Sequence, residues 1–291
     1  MTAERAKVAV AAVFLLNGLA FASWVSRVPA IRDTLDLTPG GVGLLLLSLS
    51  GGTLAALPLS GAVITRLGAG RTVFASALSS SIGMLVMATG IGTQSVVLTS
   101  VGMFTYGVGT SAWDVAMNVE AADVERRLAR TLMPRFHAGF SLGTVIGAIA
   151  GAACARLDVS LSTQLVGTVV VIAVVLPVAL RSFVPVTPHD EAIHGPRPSL
   201  WSAWREPRTL AVGLVVLAFA LCEGIANDWL ALALVDGYDA EEAVGAAGFG
   251  VFVAAMTIGR IFGGTQVERY GRVTVLRVTA LLVVGLSLIH I

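Results

Sequence analysis

The sequence predicts an all-α polytopic membrane protein, and three observations carry the prediction. Charged residues are 13% of the 291 and hydrophobic residues 56%. Soluble domains carry roughly 25% charged residues, so this chain lacks the polar side chains to cover a soluble surface. The charges also fall in breaks between long charge-free runs at 8–26, 37–65, 72–113, 136–155, 159–180 and 243–259. A bilayer crossing takes about 20 mostly apolar residues. Finally, the runs show no apolar–polar alternation of the kind a membrane barrel strand needs, and in lipid a helix satisfies its own backbone. A net charge of +1 gives no reason to expect nucleic acid as a partner; the lipid bilayer is the expected surrounding.

The elements follow in order. The first two runs give one span each, the first too long for a signal-peptide core and so retained. The run 72–113 holds two spans, with the turn at Gly90-Ile91-Gly92-Thr93-Gln94-Ser95. Runs 136–155 and 159–180 are the fifth and sixth spans. The seventh, at about 209–235, is interrupted only by Glu223 and Asp228, run 243–259 is the eighth, and the chain ends inside a ninth beginning near 273. Between the sixth and seventh lies 184–207, with five prolines and both signs of charge, which reads as a linker. The expected organisation is an N-terminal six-helix bundle over 1–183, an inter-bundle loop over 184–207, and a partial second bundle of about three helices over 208–285.

Basic residues set the orientation. With the N-terminus inside, sixteen Lys and Arg fall in inner segments and three, Arg27, Arg32 and Arg156, in outer loops. The expected setting is the inner (plasma) membrane, with a cytoplasmic N-terminus. Cys154 and Cys222 lie in apolar runs without CxxC spacing; no metal, cofactor or catalytic site is expected.

The halves look related. Gly61-Ala62-Val63-Ile64-Thr65-Arg66-Leu67-Gly68 matches Gly264-Thr265-Gln266-Val267-Glu268-Arg269-Tyr270-Gly271 at an offset of 203, and the Asn17–Trp24 and Glu223–Trp229 segments align at 205 or 206. Internal repeats mark many transporter folds.

On these residues the chain resembles the major facilitator superfamily, which joins two six-helix bundles by an inner loop and carries a G-x-x-x-D-R-x-G-R motif between helices 2 and 3. The second-half copy has Gly264, Glu268 in place of Asp, Arg269, Gly271 and Arg272. The first-half copy keeps Gly61, Arg66, Gly68 and Arg71, with Thr65 where the acid is expected. The resemblance implies a gating role for these nine motif residues. Asp114 four residues before Asn118, Glu223 in the seventh span, and Gly259-Arg260-Ile261-Phe262-Gly263 resemble the fucose-permease-like branch. SWVSRVPAIRDTL and WDVAMNVEAADVERRL are similar to the MosC-like subgroup.

Polar residues inside spans are the candidate solute and proton pathway, since intramembrane acids cost about 2.5–3.5 kcal/mol on insertion scales. Asp114 and Asn118 share one helix face; they either meet a solute or bond a neighbouring helix. Glu223 lies mid-span, where transporter sites gather, with Asn227 one turn on and Asp228 nearer the outer end. Asn17 is the neutral repeat counterpart of Glu223. Trp24 and Trp229 read as interfacial anchors. Glu120 is expected at the inner surface, where Arg66 and Arg71 could pair with Glu120, Asp123 and Glu125 to hold that side closed; the alternative is a set of solvated charges. Gly139, Gly143, Gly147 and Gly151 form a four-residue stripe for close helix approach.

The expected function is secondary transport of a small polar, sugar-like solute by alternating access, with protons as candidate coupling ion. An exporter of amphipathic compounds and a non-transporting sensor or scaffold are the alternatives. The absence of Gly-Pro between 137 and 156, typical of drug–proton antiporters in the superfamily, argues against the exporter. The terminal Leu286-Ser287-Leu288-Ile289-His290-Ile291 reads as the in-frame translation of a transposase sequencing adaptor, or as an ordinary apolar helix end; the first reading predicts a parent of roughly 400 residues from the repeat.

Overall fold

A backbone in hydrocarbon must bond to itself, and the observed elements are helices. The structure, a computed structural model, describes residues 3–130, 132–183 and 205–290, with the backbone alone at 264, 268 and 287–290. Ten helices follow in order: α1 (Ala3–Val25), α2 (Val28–Thr34), α3 (Pro39–Leu67), α4 (Ala69–Gly92), α5 (Val96–Leu128), α6 (Met133–Arg156), α7 (Leu161–Leu180), α8 (Pro207–Tyr238), α9 (Glu242–Tyr270) and α10 (Arg272–His290). No strand occurs among the described residues. Seven helices (α1, α3, α4, α6, α7, α8 and the Glu242–Gly263 part of α9) are long and apolar enough to cross a membrane. Helix α5, with its carboxylates and arginines, is more polar, but its 33 residues give about 50 Å and it lies between α3 and α4. The linker 184–204 lies outside the described residues.

Starts and stops are written locally. The hydroxyls of Thr38, Ser95 and Ser160 accept hydrogen bonds from the amides of Gly41, Leu98 and Thr163, satisfying first-turn donors. The carboxylate of Glu125 does the same for α6, accepting from the amides of Leu132 and Met133 at 2.6 and 2.7 Å. The short α2 has no counterpart among the expected spans; its Val28, Pro29 and Ile31 are buried.

The repeat is visible in the backbone. Helices α3 and α9 are both 29 residues long and start 203 apart. Gly68 and Gly271, also 203 apart, close them at φ 79° and 81°, the left-handed region that glycine enters without a Cβ penalty. Asp36 and Asp239, at φ 51° and 52°, share the same offset.

Chain reversal places the N-terminus, the α3–α4 turn, the α5–α6 turn and the end of α7 on one face, here the N-terminal face. Within the first bundle, α4 and α3 flank α5, and α6 lies along α1. A Cβ on Gly143 would sit 2.0 Å from the Leu15 carbonyl oxygen, and one on Gly18 2.0 Å from that of Phe140. The α6 glycine stripe is therefore the contact surface for α1. The bundle core holds Phe14, Trp24, Tyr106, Trp113 and Phe136. Trp24 is thus not an interfacial anchor: it is fully buried, edge-on to Phe21 and Tyr106. In the second half, α9 packs on α6 through buried Ala246, Phe249 and Val253, and α8 lies against α9.

Gly143→Ala is expected to cost about 1–3 kcal/mol through overpacking, read as a lower thermal midpoint in detergent. Gly167→Ala, where a Cβ meets nothing within 4 Å, should be neutral or gain up to about 1 kcal/mol.

Candidate functional site

Glu223 lies 16 residues from Pro207 and 15 from Tyr238 in α8, halfway along its helix. Its Oε1 accepts a hydrogen bond from Nη2 of Arg260 in α9 at 2.9 Å. The same guanidinium donates through Nη1 to Ser141 Oγ of α6 at 3.0 Å. One side chain therefore ties α8 and α9 of the second half to the first bundle. One turn before Ser141 is His137, within electrostatic reach of both Arg260 and Asp114 and edge-on to Phe14 at 5.3 Å. Asp114 is exposed, and Asn118 Nδ2 donates to its carbonyl at 2.9 Å and its Oδ1 at 3.4 Å. Acid, amide, imidazole, guanidinium and hydroxyl thus converge from α5, α6, α8 and α9.

The remaining pathway candidates divide. Asn17 is buried in the first bundle, its Oδ1 accepting from Thr110 Oγ1 at 3.1 Å and its Nδ2 reaching Met117 Sδ at 3.7 Å; it joins α1 to α5. Asn227 is half-buried on α8, and its Oδ1 has no donor among the described residues. Asp228 is half-buried beside it. Trp229 approaches α3, its ring 3.9 Å from where a Cβ on Gly43 would lie.

A second junction closes the face opposite the N-terminus. Arg27 is 3% exposed, although sequence places it in a loop. Its Nε pairs with Glu242 at the start of α9; Nη1 donates to Gln164 Oε1 at 2.9 Å, and Nη2 to the Val159 carbonyl and Glu242 Oε2, both at 3.3 Å. Arg32 of α2 pairs with Asp236 at the end of α8. Two ion pairs thus bridge the halves at this face, one of them buried.

The motif residues lie at the N-terminal face. Thr65 Oγ1 returns to the Gly61 carbonyl at 2.9 Å, Arg269 stacks over Tyr270, and Arg66, Arg71 and Arg272 are exposed. For Gly264 and Glu268 only the backbone is described. Glu120 is not a solvated end residue; it is wholly buried. The expected pairing of Arg66 and Arg71 with Asp123 and Glu125 is not formed in this conformation, because those carboxylates are taken: Asp123 by Arg126 and Arg127, Glu125 by the α6 cap.

Arg260, His137, Ser141, Arg27 and Glu242 are the site residues that sequence reading left out. Arg260 had been grouped with inner-face charges. The repeat offset held the signal: 203 residues earlier stands Leu57, inside a charge-free span. His137 and Ser141 carried a weaker one, sharing a helix face at four-residue spacing beside the glycine stripe. The Arg27–Glu242 pair joins residues 215 apart and left no local trace.

Repeated halves of membrane-spanning helices, joined across a polar junction at mid-depth, define an integral membrane transporter. The chain belongs to the major facilitator superfamily, whose family model matches residues 10–291. It is 33% identical over 276 residues to the uncharacterized transporter y4wD of Sinorhizobium fredii, covering 93% of this chain and 70% of that protein. It is 29% identical over 267 residues to an uncharacterized MFS-type transporter of Yersinia pestis, covering 90% and 66%. It is 25% identical over 265 residues to the membrane protein MosC of Rhizobium meliloti, covering 90% and 62%, in line with the MosC-like stretches. The crystal structure of the nucleoside transporter NupG matches at a TM-score of 0.65 and 13% identity, over 91% of this chain and 68% of that one; it shares the fold. The chain spans about two thirds of the length of these relatives.

If Arg260 ties the halves together, the Glu223→Gln and Arg260→Gln losses in thermal stability will not add. A double-mutant cycle should give a coupling of about 0.5–3 kcal/mol, whereas independent surface groups would add to within about 0.5 kcal/mol.

Proposed function

We infer that the protein moves a small polar, sugar-like solute across the inner (plasma) membrane by alternating access, with the junction around Glu223 and Arg260 as its binding and coupling site. The observation that carries the reading is the pair of hydrogen bonds that Arg260 donates, one to Glu223 of one half and one to Ser141 of the other. A solute with several hydroxyls can take over such bonds singly and so loosen one half from the other. Asp114 with Asn118 offers acceptors from the first bundle. Asn227 Oδ1 lacks a donor among the described residues, and buried acceptors ordinarily have one. A solute hydroxyl supplies it.

Protons are the coupling ion this site favours. Glu223 pairs with Arg260; a proton delivered to that carboxylate would remove half of the ion pair and release the guanidinium. The arginine distribution puts the N-terminal face in the cytoplasm. The Arg27–Glu242 and Arg32–Asp236 pairs then close the outer side, and the conformation is one shut to the outside.

The test is uptake of labelled sugars and polyols by vesicles carrying the full-length protein. Glu223→Gln should cut uptake of the accepted solute roughly tenfold or more, a barrier change of about 1.4 kcal/mol, and collapse of the proton gradient should do likewise. Full uptake by Glu223→Gln would remove Glu223 from the pathway; uptake indifferent to the gradient would remove protons.

A further inference from the structure

The sequence reading assigns Arg71 to a gate. In the structure it is exposed and lines a groove formed by α4 and the end of α7. Arg71 in the first turn of α4 and Arg181 just past α7 line one groove of about 450 Å³, together with Gly70, Phe74, Pro177 and Leu180. Both arginines are exposed, and neither has an ion-pair partner among the described residues. The wall below them is apolar: Phe74 is 49% exposed, with Pro177 and Leu180 partly so. After Leu180 the chain turns and buried Phe183 folds back onto Gly70, 3.5 Å from where a Cβ would stand. That contact brings the α7 end against the α4 start and sets the two guanidinium-bearing residues on one groove.

The groove thus has two cationic forks at the membrane surface and an apolar slot running below them into the hydrocarbon. No carboxylate of the described residues lines it. We propose that it binds an anionic phospholipid, the phosphate held by Arg71 and Arg181 and an acyl chain lying against Phe74, Pro177 and Leu180. Guanidinium forks match phosphate oxygens bidentately, and basic pockets between helix ends are suited to anionic head groups. The groove on the other side of α7 shows what distinguishes this one. It also has an apolar wall, of Val8, Val175 and Val178, and an arginine, Arg5, but a carboxylate, Glu4, stands in its lining and pairs with Lys7. Arg130 approaches the same carboxylate at 3.6 Å. Its positive charge is partly spent inside the protein, whereas that of Arg71 and Arg181 is offered to the bilayer.

The test is native mass spectrometry of the detergent-solubilised chain titrated with phosphatidylglycerol, phosphatidylcholine or inorganic phosphate. Phosphatidylglycerol should bind in preference to phosphatidylcholine. Arg71→Gln with Arg181→Gln should weaken it roughly thirty-fold, about fivefold per arginine, while Arg5→Gln with Lys7→Gln should leave it unchanged. Arg181→Gln alone, beyond the helix end, keeps the test open if the double variant misfolds, with a loss of about fivefold. The assignment is overturned if the arginine variants bind phosphatidylglycerol as the unaltered protein does, if phosphatidylcholine binds equally well, or if inorganic phosphate alone displaces the lipid.

Discussion

A guanidinium within a membrane-spanning helix must be neutralised by its neighbours, and the described architecture is arranged around that requirement. An unpartnered Arg at mid-span costs about 2.5–3.5 kcal/mol even on the lenient insertion scales. Arg260 meets it with an acid from α8 and a hydroxyl from α6. Those bonds can form only if α6 and α9 run side by side at that depth, which in turn requires the small residues along their contact: Gly250 sits where a Cβ would lie 3.3 Å from Ala148. Charge and packing thus specify the same helix pair. The junction is also the part of the interface easiest to rearrange, since hydrogen bonds can be exchanged with a solute and close apolar packing cannot.

The first bundle is a different kind of object. Its helices meet backbone to backbone: a Cβ on Gly102 would lie 2.4 Å from the Met87 amide, and one on Gly83 2.4 Å from that of Tyr106. Asn17, Thr110 and Met117 bond across it. Close packing of this sort is not continuously deformable, so the bundle suits a rigid body. Relative motion then falls to the interface, which is held at the closed face by the Arg27 and Arg32 pairs and at mid-depth by Arg260. Buried Arg27 carries more of that closure than half-buried Arg32, whose partner Asp236 is exposed, since exposed pairs contribute only about 0–1 kcal/mol.

Much of the fold was legible because the bilayer imposes a simple code. Apolar runs of sufficient length became helices, the four-residue glycine stripe became the α1–α6 contact, and the offset of 203 read from Gly61–Gly68 reappeared as closely matching φ angles at Gly68 and Gly271. What sequence did not yield was direction around the helix and partner across it. Trp24 has the composition of an anchor but faces the core; Glu120 sits near a helix end but is wholly buried. Asp114, Asn118 and Glu223 could be picked out as polar residues inside apolar runs. Arg260, although part of the Gly259–Gly263 pattern, lies near the inner end of its span, where the positive-inside rule accounts for an arginine without any partner. Pairs such as Arg27–Glu242 depend on where separate helices end in space, which no local pattern encodes.

The central claim is that the halves rock about the Arg260 junction once the opposite face is released. Spin labels at Thr34 and Tyr238 report that face, and labels at Leu67 and Tyr270 report the N-terminal one. With Arg27→Ala and Arg32→Ala together, the account predicts that the Thr34–Tyr238 distance lengthens while Leu67–Tyr270 shortens. Distances unchanged at both faces, or lengthened at both as the halves simply part, would contradict it.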